Sequence, residues 1–203
     1  MISVVVSTYN SPDRLEKVLW GYSVQTEKRF ELIVADDGSI DETCRLIDRI
    51  RDETGMDIHH VWHEDIGFRK TRICNQAFLK ARFDYILCAD GDCIPRADLL
   101  ETHLRYARPG RFLCGTAIRI SKAVCEDIDR EAIVSGNAFR VQWLTQHGMR
   151  LNRYLIRMTY PRWFQPIANR FLCSNPRFNG GNSSAWKSDI LRVPLLTPTN
   201  IQT

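Results

Sequence analysis

The chain has 203 residues, 44% of them hydrophobic and 26% charged, a balance that excludes a disordered tail and suffices for one globular domain with a sizeable core. Its 28 Lys and Arg against 24 Asp and Glu give a formal charge of +4, too mild to point to a partner before it is divided along the chain. Residues 1–110 hold 15 basic and 19 acidic side chains, net −4, whereas residues 111–203 hold 13 and 5, net +8.

A chain this long does not need disulfide staples. The seven cysteines, Cys44, Cys74, Cys88, Cys93, Cys114, Cys125 and Cys173, form no C-x-x-C pair and have no His partner at finger spacing. They read as reduced thiols rather than a structural zinc site. No apolar run approaches the ~18 to 20 residues of a membrane span, and Met1 leads into Ile2-Ser3-Val4-Val5-Val6 without a basic leader. The expectation is a cytoplasmic protein, neither secreted nor integral to a membrane.

Short apolar runs alternate with amphipathic stretches through the first half, the pattern of βαβ units around a largely parallel sheet. Residues 2–7, 30–35, 58–62 and 84–89 have the length and composition of buried strands, the first dense in Val. A first helix opens at Pro12 after Ser11, with Leu15, Val18, Leu19 and Tyr22 at helical spacing. A second starts near Asp41 or Glu42 and carries Leu46, Ile47 and Ile50. The third covers 70–82 with Ile73, Ala77 and Phe78 inward. Beyond Arg111, residues 112–120 read as another strand and 121–170 as helical, with Trp143, Leu144, Leu151, Leu155 and Ile156 apolar. Repeats, linkers and low-complexity segments are absent, so the chain reads as a single domain: a half at 1–110, a second half at 111–193, and an atypical tail at 194–203.

In doubly wound sheets ligands sit beyond the carboxyl ends of the strands. Every such position here is polar: Ser7, Thr8, Tyr9 and Asn10 after the first strand; Asp36, Asp37, Gly38 and Ser39 after the second; His63, Glu64, Asp65 and Gly67 after the third; Asp90, Gly91 and Asp92 after the fourth. Any one could be an ordinary polar turn; four on one edge describe a site. Asp90-Gly91-Asp92 presents two carboxylates one residue apart, a donor set for a hard divalent ion such as Mg²⁺ or Mn²⁺ that also binds substrate phosphates. An Asp of the Asp36-Asp37 pair can accept from a base N–H, and the hydroxyls of Ser7 and Thr8 can bond a neighbouring base or ribose. His59, His60 and His63 do not read as a zinc cluster, because strand alternation sends His59 and His60 to opposite faces.

Val6-Ser7-Thr8-Tyr9-Asn10, Asp36-Asp37-Gly38-Ser39 and Ala89-Asp90-Gly91-Asp92 resemble, in order, spacing and strand context, the signatures of family 2 glycosyltransferases with the GT-A fold. Asp65-Ile66-Gly67-Phe68-Arg69 with Asn75-Gln76-Ala77 is similar to the helix entry of a chondroitin-polymerase-like and galactosyltransferase-like bacterial subgroup. Phe178-Asn179-Gly180-Gly181-Asn182-Ser183-Ser184 resembles its glycine-rich acceptor-side segment. The likeness spans roughly residues 1–193. It implies a GT-A sheet with a helical, basic C-terminal part, and an inverting transferase that passes a sugar from a UDP-sugar to a glycan or lipid-linked acceptor in surface polysaccharide or lipopolysaccharide synthesis.

By position, the resemblance implies that Ser7 or Thr8, with Tyr9 and Asp37, hold the nucleoside, that Asp90 and Gly91 lie at the ribose or metal, and that Asp92 ligates Mn²⁺ or Mg²⁺ on the diphosphate. Arg69 and Arg72 would lie near the phosphates or the third-strand edge, and Gly180, Gly181 and Asn182 on the acceptor side. Two departures stand out. Where the family often has Arg before the helix Asn, this chain has Cys74, which removes a phosphate contact. The family's catalytic base follows the Gly-Gly-Asn segment, but residues 194–203 contain no carboxylate side chain, and Asp189 is the only one after Glu131. The expectation is a truncated or frameshifted member that keeps the donor half and lacks the expected base; the alternative is a chain that simply ends there, with Asp65 or Glu64 serving as base.

A basic, aromatic stretch without Asp or Glu runs through 140–187. It suits an anionic glycan, a lipid-linked acceptor or peripheral contact with the inner face of a membrane. Nucleic acid is not expected, for want of a recognised motif and because the first half is acidic. A sugar-phosphate nucleotidyltransferase or a dinucleotide dehydrogenase would need a glycine-rich loop near the N-terminus, and 4–10 contains no glycine. A non-catalytic nucleotide-sugar-binding or partner module is the remaining alternative.

Overall fold

The structure is a computed structural model that describes residues 1–159, 178 and 180–192. It divides into two compact units, Met1–Gly115 with the residues from Phe178 onward, and Thr116–Arg177.

The first unit is built on β1 (Ile2–Thr8), buried along its whole length. It pairs in parallel with β2 (Phe30–Asp36) on one side and β4 (Tyr85–Asp90) on the other, while β3 (Ile58–Trp62) extends the sheet beyond β2. The four strands match the sequence expectation to within a residue at each end. The full order is β3-β2-β1-β4-β6-β5, the last two added by the antiparallel β6 (Asn182–Trp186) and β5 (Leu113–Cys114). This is the doubly wound, mostly parallel sheet that the alternation of elements predicts.

α1 (Pro12–Ser23) and α2 (Asp41–Thr54) connect the strands that step outward from β1 to β3, and they pack on each other. α3 (Lys70–Lys80) connects β3 back across the sheet to β4. Because parallel crossovers are right-handed, a connection that reverses direction puts its helix on the opposite face. That face is a cluster of Val5, Ile33, Ala35, Val61 and Ile86 from the strands against Ile73, Ala77 and Phe78 of α3, each under 5% exposed. Alternation turns Val4, Val6, Leu32 and Val34 to the other side. At roughly 2 kcal/mol per fully buried aliphatic or aromatic side chain, these two layers fix the strand ends that make the site.

Two elements lie outside the sequence expectation. α4 (Leu99–Tyr106) buries Leu100 and His103, and residues 182–186, expected as part of a glycine-rich segment, form β6. Their run Asn-Ser-Ser-Ala-Trp carries no apolar alternation, yet Ser183 and Ser184 are fully buried. The expected strand at 112–120 is cut to two residues. β6 begins at Asn182, whose carbonyl already accepts from the Gly115 amide at 2.8 Å, so residues beyond Gly115 find no strand to pair with among the described residues.

In the second unit the expected helical stretch is broken into α5 (Lys122–Asp127), α6 (Arg130–Val134), a 3₁₀ turn (Asn137–Phe139), α7 (Val141–Gln146) and α8 (Arg153–Met158). Gly136 and Gly148 interrupt it at positive φ, 76° and 93°. Ser121 and Asp129 cap α5 and α6 through side-chain oxygens that accept from Val124 and Ala132 amides. Val124, Leu144 and Leu155 form its small core. Residues 160–170 of that helical expectation, and the tail at 194–203, lie outside the described residues.

Candidate functional site

The strand order reverses between β1 and β4, and the crevice at their carboxyl ends is where a doubly wound sheet binds ligand. Ser7 and Asp90 face each other in register there, and the Ser7 hydroxyl donates to Asp90 Oδ1 at 3.2 Å. The Gly91 amide donates to the Ser7 carbonyl at 2.8 Å. A Cβ on Gly91 would lie 2.8 Å from that same oxygen and 3.2 Å from Thr8 Cβ, so only glycine lets the turn after β4 lie this close to β1. The result is an open cleft of about 280 Å³ lined by Ser7, Thr8, Tyr9, Asp37, Asp90, Gly91 and Asp92, all seven expected from sequence, together with Ser11, Arg14, Phe68 and Lys70. Thr8 Oγ1 is buried and has no protein partner, a free hydroxyl at the wall of the cleft.

The paired aspartates after β2 do different work. Asp36 is fully buried; Oδ1 accepts from the Ser39 amide at 2.8 Å and Oδ2 meets His60 Nε2 at 2.9 Å, which locks the turn. Asp37 faces the cleft and is clamped by His63 Nε2 at 2.7 Å and the Arg69 amide at 2.9 Å. Gly38 sits at φ +100°, where a Cβ would collide with the Asp65 backbone at 2.7 Å. His60 and His63 thus orient carboxylates, while His59 lies on the other face beside Glu31 and Asp57. Glu31, Asp57 and His59 bring ligand atoms within 4.8 Å, but the cation they hold is Arg82. Its amide and Nε donate to Glu31 at 2.6 and 2.9 Å, and its Nη2 pairs with Asp57.

Asp90, Asp92 and Cys93 also bring ligand atoms within 4.8 Å of one another. Burial, with Asp92 and Asp90 adjacent, pushes the Cys93 thiol up to about 11, which disfavours the thiolate beside two carboxylates. The remaining donors are two carboxylates, hard oxygens that fit Mg²⁺ or Mn²⁺ rather than a thiophilic metal. Asp92 is exposed, with Arg14 4.0 Å away, and Asp90 Oδ1 also receives Lys70 Nζ at 2.5 Å.

The other expected residues are placed as follows. Arg69 contributes its amide to Asp37, and its guanidinium donates to the Glu64 carbonyl. Arg72 is exposed and lies outside the cleft lining. Cys74 packs against the core beneath α3, where burial pushes its thiol up to about 11, so that position turns toward the core. Asp65 accepts from the Gly67 amide at 3.0 Å and from the Tyr9 hydroxyl at 2.8 Å, and these bonds lower its pKa. Glu64 is exposed. Gly180 comes to the cleft: a Cβ there would be 3.5 Å from Asp90 Oδ1 and 3.7 Å from Lys70 Nζ. Asn182 turns the other way, its Oδ1 meeting His103 Nε2 at 3.0 Å. His103 Nδ1 meets Ser184 Oγ at 2.6 Å, which meets the Tyr85 hydroxyl at 2.7 Å.

Lys70 and Arg14 are cleft-lining residues that motif reasoning passed over, while Phe68 and His63 fell within its segments without an assigned role. A signal existed for Lys70, since it opens the helix that returns to the fourth strand. The sequence matches the family described as glycosyl transferase family 2 over residues 3–192. It is 31% identical over 97 residues to a poly-beta-1,6-N-acetyl-D-glucosamine synthase of Staphylococcus aureus, covering 48% of this chain and 23% of that one. It is 34% identical over 109 residues to a hyaluronan synthase of Pasteurella multocida, covering 49% and 11%. The chain thus spans about a quarter or less of the length of these curated relatives. In fold it is similar to a mannosyltransferase from Pyrobaculum calidifontis in complex with GDP-Man and Mn²⁺, with TM-score 0.58 and 20% identity over 95% of this chain and 46% of that one. With 190 of its 203 residues inside the family match and the sheet the family requires, the chain belongs to glycosyl transferase family 2.

Proposed function

We propose that this chain binds a nucleoside diphosphate sugar, UDP-linked, together with Mn²⁺ or Mg²⁺, and transfers the sugar with inversion to a glycan or lipid-linked acceptor in surface polysaccharide or lipopolysaccharide synthesis. The observation that carries this reading is the cleft at the β1/β4 switch, with Asp37 clamped on one side and Asp90 and Asp92 presented on the other. The mannosyltransferase similar in fold carries a nucleotide sugar and Mn²⁺, and two curated relatives are named for polysaccharides.

Asp37, fixed by His63 and the Arg69 amide, keeps carboxylate lone pairs for a base N–H. Ser7 and the unpartnered Thr8 hydroxyl bond the ribose or base, and Tyr9 offers its ring. Asp92 and Asp90 would hold the divalent ion, which when bound supplies Lewis-acid neutralisation of the leaving diphosphate. Arg14 and Lys70 add positive charge to the same end of the cleft.

The proton of the acceptor hydroxyl needs a base. Asp65 suits that role poorly, because its bonds to Gly67 and Tyr9 hold it below the usual carboxylate range. Asp189 is at the wrong end: β6 runs antiparallel to β4, so the helix Lys187–Arg192 emerges beside Asp84, with the Lys187 amide 2.7 Å from the Asp84 carbonyl. A second reading is a donor-binding module without full transferase activity.

Peripheral contact with a membrane through the basic stretch rests, among the described residues, on Arg140, Arg150 and Arg153 with Phe139, Trp143 and Tyr154; the rest of 140–187 that it invokes at 160–177 lies outside them. No described helix is long and apolar enough to cross a membrane. The test is release of UDP from a panel of UDP-sugars with Mn²⁺, with and without glycan acceptors. Acceptor-stimulated UDP release supports the transferase, binding without turnover supports the donor module, and neither from folded protein refutes both.

A further inference from the structure

Asp90 Oδ1, on the carboxylate proposed to help hold a divalent ion, already has a cation. Lys70 Nζ lies 2.5 Å from it, and the same oxygen accepts from Ser7 Oγ. Both Lys70 and Asp90 line the cleft, with side chains 38% and 33% exposed, so the ammonium is within reach of an incoming ligand. Lys70 is the first residue of α3, which packs on β2, β1 and β3, and its bond to Asp90 places the ammonium at the carboxyl end of β4. Gly180 lies beside the pair: a Cβ there would be 3.5 Å from Asp90 Oδ1 and 3.7 Å from Lys70 Nζ.

We infer that Lys70 is a tethered counter-ion that competes with the divalent cation for Asp90 and moves to the diphosphate when nucleotide arrives, which makes cation binding depend on nucleotide. This rests on the donor-site reading above. A lysine and a divalent ion cannot both sit at contact distance on one carboxylate oxygen without strong mutual repulsion in a partly desolvated cleft. A diphosphate brings the negative charge that both cations require, so the ion and the nucleotide each raise the other's affinity. Lysine suits such a hand-over, being a compact point charge on a flexible stem, where the planar fork of arginine favours a fixed bidentate pair.

The experiment compares wild type, K70M, K70Q and K80M. The last removes the same charge from the exposed end of α3. Mn²⁺ binding is measured without nucleotide by the loss of the free-ion paramagnetic resonance signal, and UDP binding by calorimetry at saturating Mn²⁺, on variants matched in circular dichroism and Tm. K70M and K70Q are expected to bind Mn²⁺ alone about tenfold tighter than wild type and K80M, and to bind UDP with Mn²⁺ about tenfold weaker. Equal Mn²⁺ affinity in K70M, K70Q and K80M overturns the inference, even if wild type binds UDP as proposed. Failure of wild type to bind UDP, with the Mn²⁺ gain in K70M and K70Q intact, overturns the nucleotide reading and the hand-over while supporting competition for Asp90.

Discussion

His103 offers a quantitative test of the network behind β6. It is 4% exposed on α4, held between Ser184 and Asn182. Burial lowers its pKa from an ordinary 6.5 to about 4, opposed only by the Asn182 bond. Between pH 6.5 and 4 the unfolded imidazole takes up a proton that the folded one refuses, so stability falls as pH falls through that window, by up to about 1.4 kcal/mol per pH unit. Two and a half units correspond to about 3 kcal/mol, fully present above pH 6.5 and gone by pH 4. The perturbation is His103→Gln, and the assay is urea unfolding of wild type and variant at half-unit steps from pH 8 to 4.5. The carboxylates common to both chains cancel in the difference. The stability of wild type relative to the variant should be constant at pH 7 to 8 and shrink by about 2 to 3 kcal/mol toward pH 4.5. A pH-independent difference would refute the claim that a neutral, buried imidazole anchors Asn182.

Three further outcomes follow from the geometry. Ser184→Ala strands the Tyr85 hydroxyl and His103 Nδ1 in the interior and should cost about 1–3 kcal/mol at neutral pH in the same unfolding assay. Gly91→Ala drives a methyl to 2.8 Å from the Ser7 carbonyl; it should destabilise the fold by about 1–3 kcal/mol and weaken UDP binding, because Ser7 and Thr8 are displaced together. Asp92→Asn, at an exposed position, should leave the thermal midpoint unchanged and abolish the Mn²⁺-dependent part of UDP binding; unaltered affinity would remove Asp92 from the site.

The strands and helices of residues 1–90 were legible because each carries one strong period: β1, β2 and β4 are continuous apolar runs, and α2 places Leu46, Ile47 and Ile50 on one stripe. The cleft followed from them, since polar residues after parallel strands converge by topology alone. β6 was illegible for the opposite reason. Its buried serines lack an apolar signature, and Ser184 is satisfied by His103 and Tyr85, about 80 and 100 positions away in sequence. Composition and spacing alone did not distinguish Asp36, sealed by Ser39 and His60, from Asp37 facing the cleft; only the family resemblance singled out Asp37. The strand expected at 112–120 failed on tertiary grounds: Thr116, Ala117, Ile118 and Ile120 suit a strand moderately well, but β6 has already ended. Lys70 was hidden because its partner, Asp90, is 20 residues away on another element.

The donor site at the β1/β4 switch is open to calorimetric titration of UDP into the purified chain with and without Mn²⁺. Saturable one-to-one binding that requires Mn²⁺ and disappears in Asp92→Asn is expected. Absence of UDP binding in both conditions, from protein shown to be folded by circular dichroism, would contradict the donor site.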